Sequence, residues 1–419
     1  MSDRAVFVYV DLDRQPRLVG RLWSRVRRGR ETASFEYDPG WLASAERFAL
    51  EPALTLTAGQ FHTPPEKALF GALGDSAPDR WGRTLMRRAE RQRARREARA
   101  PRTLFELDYL LMVDDEARQG ALRFAEQPGG PFLAPDSAAR IPPLIELPRL
   151  LSAAESVAAD SEGEEELRLL LAPGSSLGGA RPKASVRDRD GQLAIAKFPQ
   201  KGDETDIVLW EALALTLAAQ AGIPVPDWRL EQVGGRPVLL LRRFDRDGGR
   251  RVPFLSAMSM LGANDNETHS YLEIVDALRQ HGAAPAADIA DLWRRILFSV
   301  LISNTDDHLR NHGFLYTGGG WRLSPAYDLN PVPVDIRPRV LSTAIDEEDT
   351  TASFALVMDV AGRFGLAKAR AGEIVAEVAG AVAQWRSQAA RLGLSAREIE
   401  RMASAFEHGD AEAAAARRG

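Results

Sequence analysis

Two stretches decide how this chain reads: Asn304-Thr305-Asp306-Asp307-His308-Leu309-Arg310-Asn311 and, after a short gap, Ser324-Pro325-Ala326-Tyr327-Asp328. They set an acid, an amide five positions later, and a second acid beyond a short hairpin. That layout suits phosphoryl transfer. Asp306 can orient and deprotonate an attacking hydroxyl, while Asn311 and Asp328 hold Mg2+ on nucleotide phosphates. Such a transfer asks for positioning and charge neutralisation rather than covalent chemistry from the protein. The blander reading of an acid and amide at this spacing is a polar loop that caps a helix.

Context favours the first reading. The apolar segment Leu292 to Ile302 predicts a buried helix leading into the loop, and the hairpin Phe314-Leu315-Tyr316, Gly318-Gly319-Gly320, Trp321-Arg322-Leu323 returns Asp328 toward it. Upstream, Gly174 to Lys183 is a loop of small residues, in which glycines let main-chain N–H groups approach an anion. It has neither the Walker spacing nor G-x-G-x-x-G, so alone it reads as an ordinary loop. Ser175 and Ser176 lie inside it. Lys197 ends the strand Leu193 to Ala196 directly after a hairpin, and Glu211 sits in the next helix among Trp210, Ala212 and Leu213. A carboxylate on so apolar a face wants a partner. Glycine loop, strand lysine, helix glutamate, Asp-x4-Asn and a later Asp follow one another in the order of a kinase. Leu239 to Asp245 runs from a strand into a polar turn, where a hinge would expose main-chain groups to adenine. His308 can reach the nucleotide; otherwise it is a loop histidine without a special role.

At 419 residues the chain calls for two or three domains. With no cysteine it has neither a disulfide framework nor a zinc ribbon, which fits a reducing, cytoplasmic setting. No signal peptide and no membrane span are expected, and a net charge of −5 gives no general drive toward nucleic acid. Charge is uneven: Arg87 to Arg102 is basic and Glu162 to Glu166 acidic. The basic run lacks interleaved aromatics and reads as a solvated helix rather than a nucleic-acid contact.

Period-two patterning predicts strands at Val6 to Val10, Leu18 to Trp23 and Phe35 to Tyr37, so the first 60 residues read as a small β-rich module. Pro64 to Arg99 reads as helical with a break at Gly74 to Asp79, where Asp75 or Ser76 could cap the following helix. Helices follow at Leu147 to Ala158, Glu164 to Leu171 and Thr205 to Ala221, and strands at Ala184 to Val186, Leu193 to Phe198 and Val238 to Arg242. From Ser270 onward the chain reads as mostly helical apart from the hairpin. The expected organisation is α+β. Residues 1–125 form an N-terminal subdomain and 126–145 a linker. Residues 146–262 supply the nucleotide-binding lobe of a two-lobed, protein-kinase-like core, and 263–419 its mainly helical second lobe.

GSSLGGARPKA around Ser176, IAKFP around Lys197, GIPVP at 222–226, RRFDR at 242–246, NTDDHLRNHGF at 304–314 and LSPAYDLNP at 323–331 belong together. With VYVDLDRQPRLVGRLW and GDSAPDRWGR in the N-terminal third, they resemble the HipA family of serine/threonine kinases, the toxin halves of bacterial toxin–antitoxin pairs. The resemblance implies Asp306 as catalytic base and Asn311 and Asp328 as Mg2+ ligands. It implies Lys197, oriented by Glu211, on the ATP phosphates, and Gly178, Gly179, Ala180, Arg181, Pro182 and Lys183 as the nucleotide loop. Arg242, Arg243 and Phe244 would be the adenine hinge, with His308 and Tyr327 lining the site. Ser176, or its neighbour Ser175, would be the autophosphorylated serine, whose added charge beside the ATP phosphates would expel the loop. A small DNA-binding antitoxin of the HipB type and a protein substrate would be its partners, with DNA met only through the antitoxin. The chain departs from better-known members at Arg242 and Arg181 and in the residues after Arg251. Two alternatives stay open: a small-molecule phosphotransferase of the aminoglycoside-kinase type, and a binding-only pseudokinase acting as a corepressor scaffold.

Overall fold

The structure, a computed structural model, describes residues 3–133, 141–171, 181–200, 202–265 and 267–417. The chain forms two compact units, each assembled from separate stretches. The first takes residues 1–201 and 231–255, and the second 202–230 and 256–419.

The first unit opens with β1 (Asp3–Leu12), β2 (Gln15–Arg27) and β3 (Arg30–Tyr37), an antiparallel meander that β4 (Gln60–His62) and β5 (Leu122–Ala125) complete in the order β4-β3-β2-β1-β5. Both tight turns are two-residue loops with left-handed backbones, Asp13-Arg14 (φ 50° and 65°) and Arg28-Gly29 (φ 50° and 77°). Their twist matches that of the flanking strands. Alternation puts Val8, Val10, Leu22 and Phe35 in the core. A Cβ at Gly20 would collide with the carbonyl oxygen of Glu36, so this close strand crossing needs glycine.

The second sheet of this unit has the order β6-β7-β9-β8, from β6 (Lys183–Arg187), β7 (Leu193–Lys197), β8 (Trp228–Val233) and β9 (Arg236–Arg242). Helices Leu147–Ala158 and Glu164–Leu171 bury Leu150, Leu151, Val157, Leu167 and Leu170 against Val186, Ala196, Val238 and Leu240. Helix Arg80–Arg96 is capped by Asp79, which accepts from the Gly82 N–H, rather than by the expected Asp75 or Ser76. Its arginines meet the acidic run: Arg88 pairs with Glu162 at 2.8 Å and Arg96 with Glu164 at 2.6 Å. The two charge anomalies of the sequence therefore face each other on one surface.

A buried charge cluster binds the first sheet region to the second. The Arg243 guanidinium contacts Asp245 at 2.8 Å and the carbonyl of Arg118 at 3.1 Å, and Asp245 accepts from the Gly120 N–H at 2.7 Å. The arginines around Asp245 overcome its burial and hold its carboxyl far below the usual range. Removing one member of such a cluster leaves an uncompensated buried charge.

In the second unit, helix Ile207–Gln220 is buried around most of its circumference and packs on helices Lys368–Val382 and Trp385–Arg391, with Trp210, Trp385 and Phe406 in mutual contact. The sequence alone groups this helix with the first lobe, whereas the structure assigns it to the second unit. Helix Pro285–Leu301 is central, and its Trp293 donates to the Val357 carbonyl at 2.9 Å. The hairpin Gly313–Tyr316 and Trp321–Leu323 follows as expected. Residues 324–353, read as mainly helical, carry neither helix nor strand. Their main chain is held by loop-to-loop hydrogen bonds. No helix among the described residues is long and apolar enough to cross a membrane.

Candidate active site

The site begins where helix Pro285–Leu301 ends. Asn304 N–H bonds to the Ser299 carbonyl at 2.9 Å and Ser303 N–H to the Val300 carbonyl at 3.4 Å, with Ser303 left-handed at φ 51°. This is the six-to-one, five-to-two closure usually made with glycine. A serine in that conformation is strained. It is held there by Arg339, which donates to the Ser303 hydroxyl at 3.2 Å and to the Val300 carbonyl at 2.9 Å. The exit direction of the loop is thereby fixed.

Asp306 and Asp307 then divide the work. Asp307 is buried and accepts from Tyr271 at 2.6 Å and Ser299 at 3.2 Å, while His312 Nε2 lies 3.1 Å from its other oxygen. Burial alone would raise its pKa, but these partners bring it below the ordinary carboxylate range. Burial and the neighbouring Asp307 push Tyr271 well above the usual phenol range. Thr343 donates to the Asp307 carbonyl at 2.7 Å, and Ser342 to that of Thr305 at 3.2 Å. Asp307 anchors the loop, and Asp306 turns its carboxylate to solvent, where Arg337 meets it at 3.1 Å. Sequence reasoning missed the anchor of Asp307, Tyr271 and His312. Its only signal was the doubled aspartate with a histidine close behind.

Asn311 is buried, and its amide nitrogen donates to the Asp306 carbonyl at 2.9 Å, which assigns the other end of the amide as oxygen. The Tyr327 hydroxyl donates to the Arg310 carbonyl at 2.7 Å, joining the immediate neighbours of Asp328 and Asn311. A second tie runs from Asn330 N–H to the Asn304 side-chain oxygen at 3.1 Å, and a third from Val332 N–H to the Ser303 carbonyl at 3.2 Å. Asp328 itself is left-handed at φ 59°, a conformation Asp tolerates better than most residues. The structure thus knits the segments of Asp306, Asn311 and Asp328 together. An amide oxygen and a carboxylate are hard donors that suit Mg2+. No cluster of three or more His, Cys, Asp or Glu fit to cage a metal occurs among the described residues, so water and phosphate oxygens would complete the shell. His308 is half-buried, and its Nδ1 is buried without a hydrogen-bond partner.

The remaining expected residues lie in the first unit, apart from Glu211, which is buried on helix Ile207–Gln220 in the second. Lys197 ends β7, opposite Lys183 on β6 and Leu239 on β9. The Lys183 ammonium is buried 3.0 Å from Asp79, so its side chain holds the helix cap region to β6. Pro182 is buried and Arg181 exposed. Arg242 is half-exposed, 3.9 Å from Asp190. Arg243 spends its guanidinium on the buried cluster, and its N–H donates to the Leu193 carbonyl at 3.0 Å. The Phe244 ring lies 6.3 Å from that of Phe254. A hinge role for Arg243 would therefore fall to its main-chain carbonyl, since its side chain and its N–H are both engaged. Ser175, Ser176, Gly178, Gly179 and Ala180 lie outside the described residues.

Residues 175–386, just over half of the chain, match the HipA-like C-terminal domain. The chain belongs to the HipA family. Residues 10–107 match the HipA N-terminal domain. The chain is 30% identical over 190 residues to the putative kinase Y4mE of Sinorhizobium fredii, covering 40% of this chain and 43% of that protein. It is 25% identical over 151 residues to a putative kinase of Haemophilus influenzae, covering 32% of this chain and 43% of that one. The chain thus spans less than half the length of the curated relatives it matches. Among solved structures, the Shewanella oneidensis MR-1 HipA, crystallised with HipB and operator DNA, superposes with a TM-score of 0.67 at 18% identity, over 99% of this chain and 96% of that one. This HipA-family chain shares that mixed helix-and-sheet fold over nearly its whole length.

Proposed function

We propose that this HipA-family chain is a Mg-ATP-dependent protein serine/threonine kinase. The observation that carries the reading is the hydrogen-bonded knit around Asp306, Asn311 and Asp328, with Asp307 buried as the anchor and Asp306 left at the surface. Asp306 takes the proton of the attacking hydroxyl. The hydroxyl oxygen bonds to the γ-phosphorus, and the bond from that phosphorus to the β-γ bridging oxygen breaks, releasing ADP. Bound Mg2+ supplies charge neutralisation on the phosphate oxygens. Asn311 and Asp328 orient that charge, Lys197 steadies the phosphates with Glu211 orienting it, and His308 and Tyr327 line the nucleotide. The loop Gly178 to Lys183 covers the phosphates, Ser176 or Ser175 within it accepts phosphate in cis, and Arg242 to Phe244 supplies the adenine hinge through main chain.

By the same family reading, the chain is a cytoplasmic toxin held by a small HipB-like DNA-binding antitoxin, as the Shewanella protein is bound to HipB. Its protein substrate belongs to a process whose loss slows growth. The test is incubation with Mg2+ and γ-labelled ATP without added acceptor, followed by peptide mapping. A labelled peptide carrying Ser175 or Ser176, absent from Asp306→Ala, is the expected result. Label persisting in that variant removes Asp306 from its role. Binding of ATP with no label on the chain or on any acceptor favours a scaffold, and label on an aminoglycoside alone favours the small-molecule reading.

A further inference from the structure

The contact between Arg337 and Asp306 belongs to a segment with an unusual surface. Among the large apolar side chains that are exposed, Val334, Ile336 and Val340, at 43%, 53% and 49% exposure, fall within seven residues of one another and flank Arg337. The segment is nevertheless fixed. Asp335 pairs with Arg401 at 2.9 Å and Val334 N–H meets the Ser404 hydroxyl at 3.3 Å. The Ile336 and Arg337 N–H groups close a turn on the Pro333 carbonyl at 3.0 and 3.1 Å. On the far side Arg339 is bonded to Val300 and Ser303 and paired with Asp410. Aliphatic side chains held in water on a fixed ledge, rather than on a fraying loop, mark a surface that a partner covers. The ledge is continuous with the proposed base through the Arg337 side chain.

Charge narrows what the partner is. Asp335 is engaged by Arg401, so Arg337 is the ledge's cation whose carboxylate partner is the reacting one. Both groups are about half exposed, 43% for Arg337 and 57% for Asp306, and such a pair contributes little and exchanges readily. Arg337 occupies one oxygen of the Asp306 carboxylate, and its swing to another anion leaves both oxygens open to an acceptor hydroxyl. We propose that residues 333–340 are the docking edge for the phosphoacceptor polypeptide, which lays an aliphatic residue on Val334, Ile336 and Val340 and gives Arg337 a carboxylate in exchange for Asp306. The inference rests on the kinase reading above. It makes recognition of an acidic, aliphatic-flanked acceptor and release of the base a single event.

The experiment uses the full chain, Mg-ATP and a degenerate serine-centred peptide library, read by which flanking residues are enriched among phosphorylated peptides. Wild type enriches acidic and aliphatic flanks. Arg337→Lys keeps the acidic preference, Arg337→Glu exchanges it for a basic one by at least about tenfold, equivalent to 1.4 kcal/mol, and Ile336→Asp loses the aliphatic preference. Thermal unfolding verifies that each variant folds. The same enrichment in wild type and Arg337→Glu overturns the proposal. So does a uniform loss for every peptide, which would put Arg337 on the transferring phosphate instead. A chain that binds ATP and labels itself but no peptide overturns the docking edge and leaves the kinase reading standing. A chain that binds no nucleotide overturns that reading itself.

Discussion

The Tyr327 hydroxyl donates to the main-chain oxygen of Arg310 at 2.7 Å, so Asp328 and Asn311 are each one residue away from the same hydrogen bond. In the proposed kinase, that bond sets the spacing of the two metal ligands. Tyr327→Phe removes it without changing the ring. The expected effect is a loss of about 1 kcal/mol, which appears as about a fivefold rise in the Mg2+ needed for half-maximal transfer. A Mg2+ titration at saturating ATP measures it, and an unchanged midpoint would show that the bond does not govern the ligands.

The adjacent aspartates should respond in opposite ways. Asp307→Ala leaves Tyr271, Ser299 and His312 facing an emptied buried site and should cost about 3–5 kcal/mol in urea unfolding. Asp306→Ala removes an exposed pair with Arg337 and should cost less than about 1 kcal/mol while abolishing transfer. Equal stability losses would mean the division between anchor and base is misassigned.

Glu51 gives the first unit a pH signature. Burial, opposed by the Ala72 N–H at 2.6 Å, pushes its carboxyl up to about 7. A raised folded-state value means its favourable contribution is present below the ordinary value of 4.5 and disappears as pH rises toward 7. Glu51→Gln should therefore stabilise the protein by about 2 kcal/mol above pH 7 and by nothing below pH 4.5. Thermal unfolding across that range checks it; a gain independent of pH would contradict the linkage.

His408 works the other way. Burial, reinforced by the charge of Arg339, lowers it to about 4, and its ring accepts from the Ala411 N–H at the start of helix Gly409–Ala416. The neutral ring contributes stability above 6.5 that is lost as pH falls toward 4. Amide exchange in residues 409–416 should quicken over that interval before the rest of the unit changes. His408→Asn, which can cap without titrating, should flatten the response.

Local patterns carried the sequence a long way. The alternation in β1 and β2 and the helical spacing of Leu147–Ala158 and Glu164–Leu171 are recorded within a few residues, and the structure follows them. The hairpin of β8 and β9 was half seen. The strand Val238 to Arg242 reads from its apolar run, but the turn at Gly234-Gly235, both left-handed, goes unread, and β8 has only one fully buried residue and therefore a weak pattern. Residues 324–353 fall inside a stretch read only as mostly helical, because no local cue announces a segment whose hydrogen bonds run to Ser303, Asn304, Thr305 and Asp307. The cluster of Arg243 and Asp245 with Ala117, Arg118 and Gly120 was invisible for the same reason, since its partners lie about 125 positions away. Asp307 illustrates the limit most sharply. It is the same residue type as Asp306 and its direct neighbour; the spacing to Asn311 singles out Asp306, but only burial shows that Asp307 is an anchor.

Arg243 and Asp245 also have a temporal meaning. A nascent chain leaves the ribosome amino end first. β1 to β7 emerge long before the strand Arg236–Arg242 and the two charged residues behind it, so the opening half of the polypeptide must wait with β7 lacking its β9 neighbour and Gly120 lacking its acceptor. Synthesis past residue 255 lets that half close, and a chain built this way stays unfinished until more than half of it has been made.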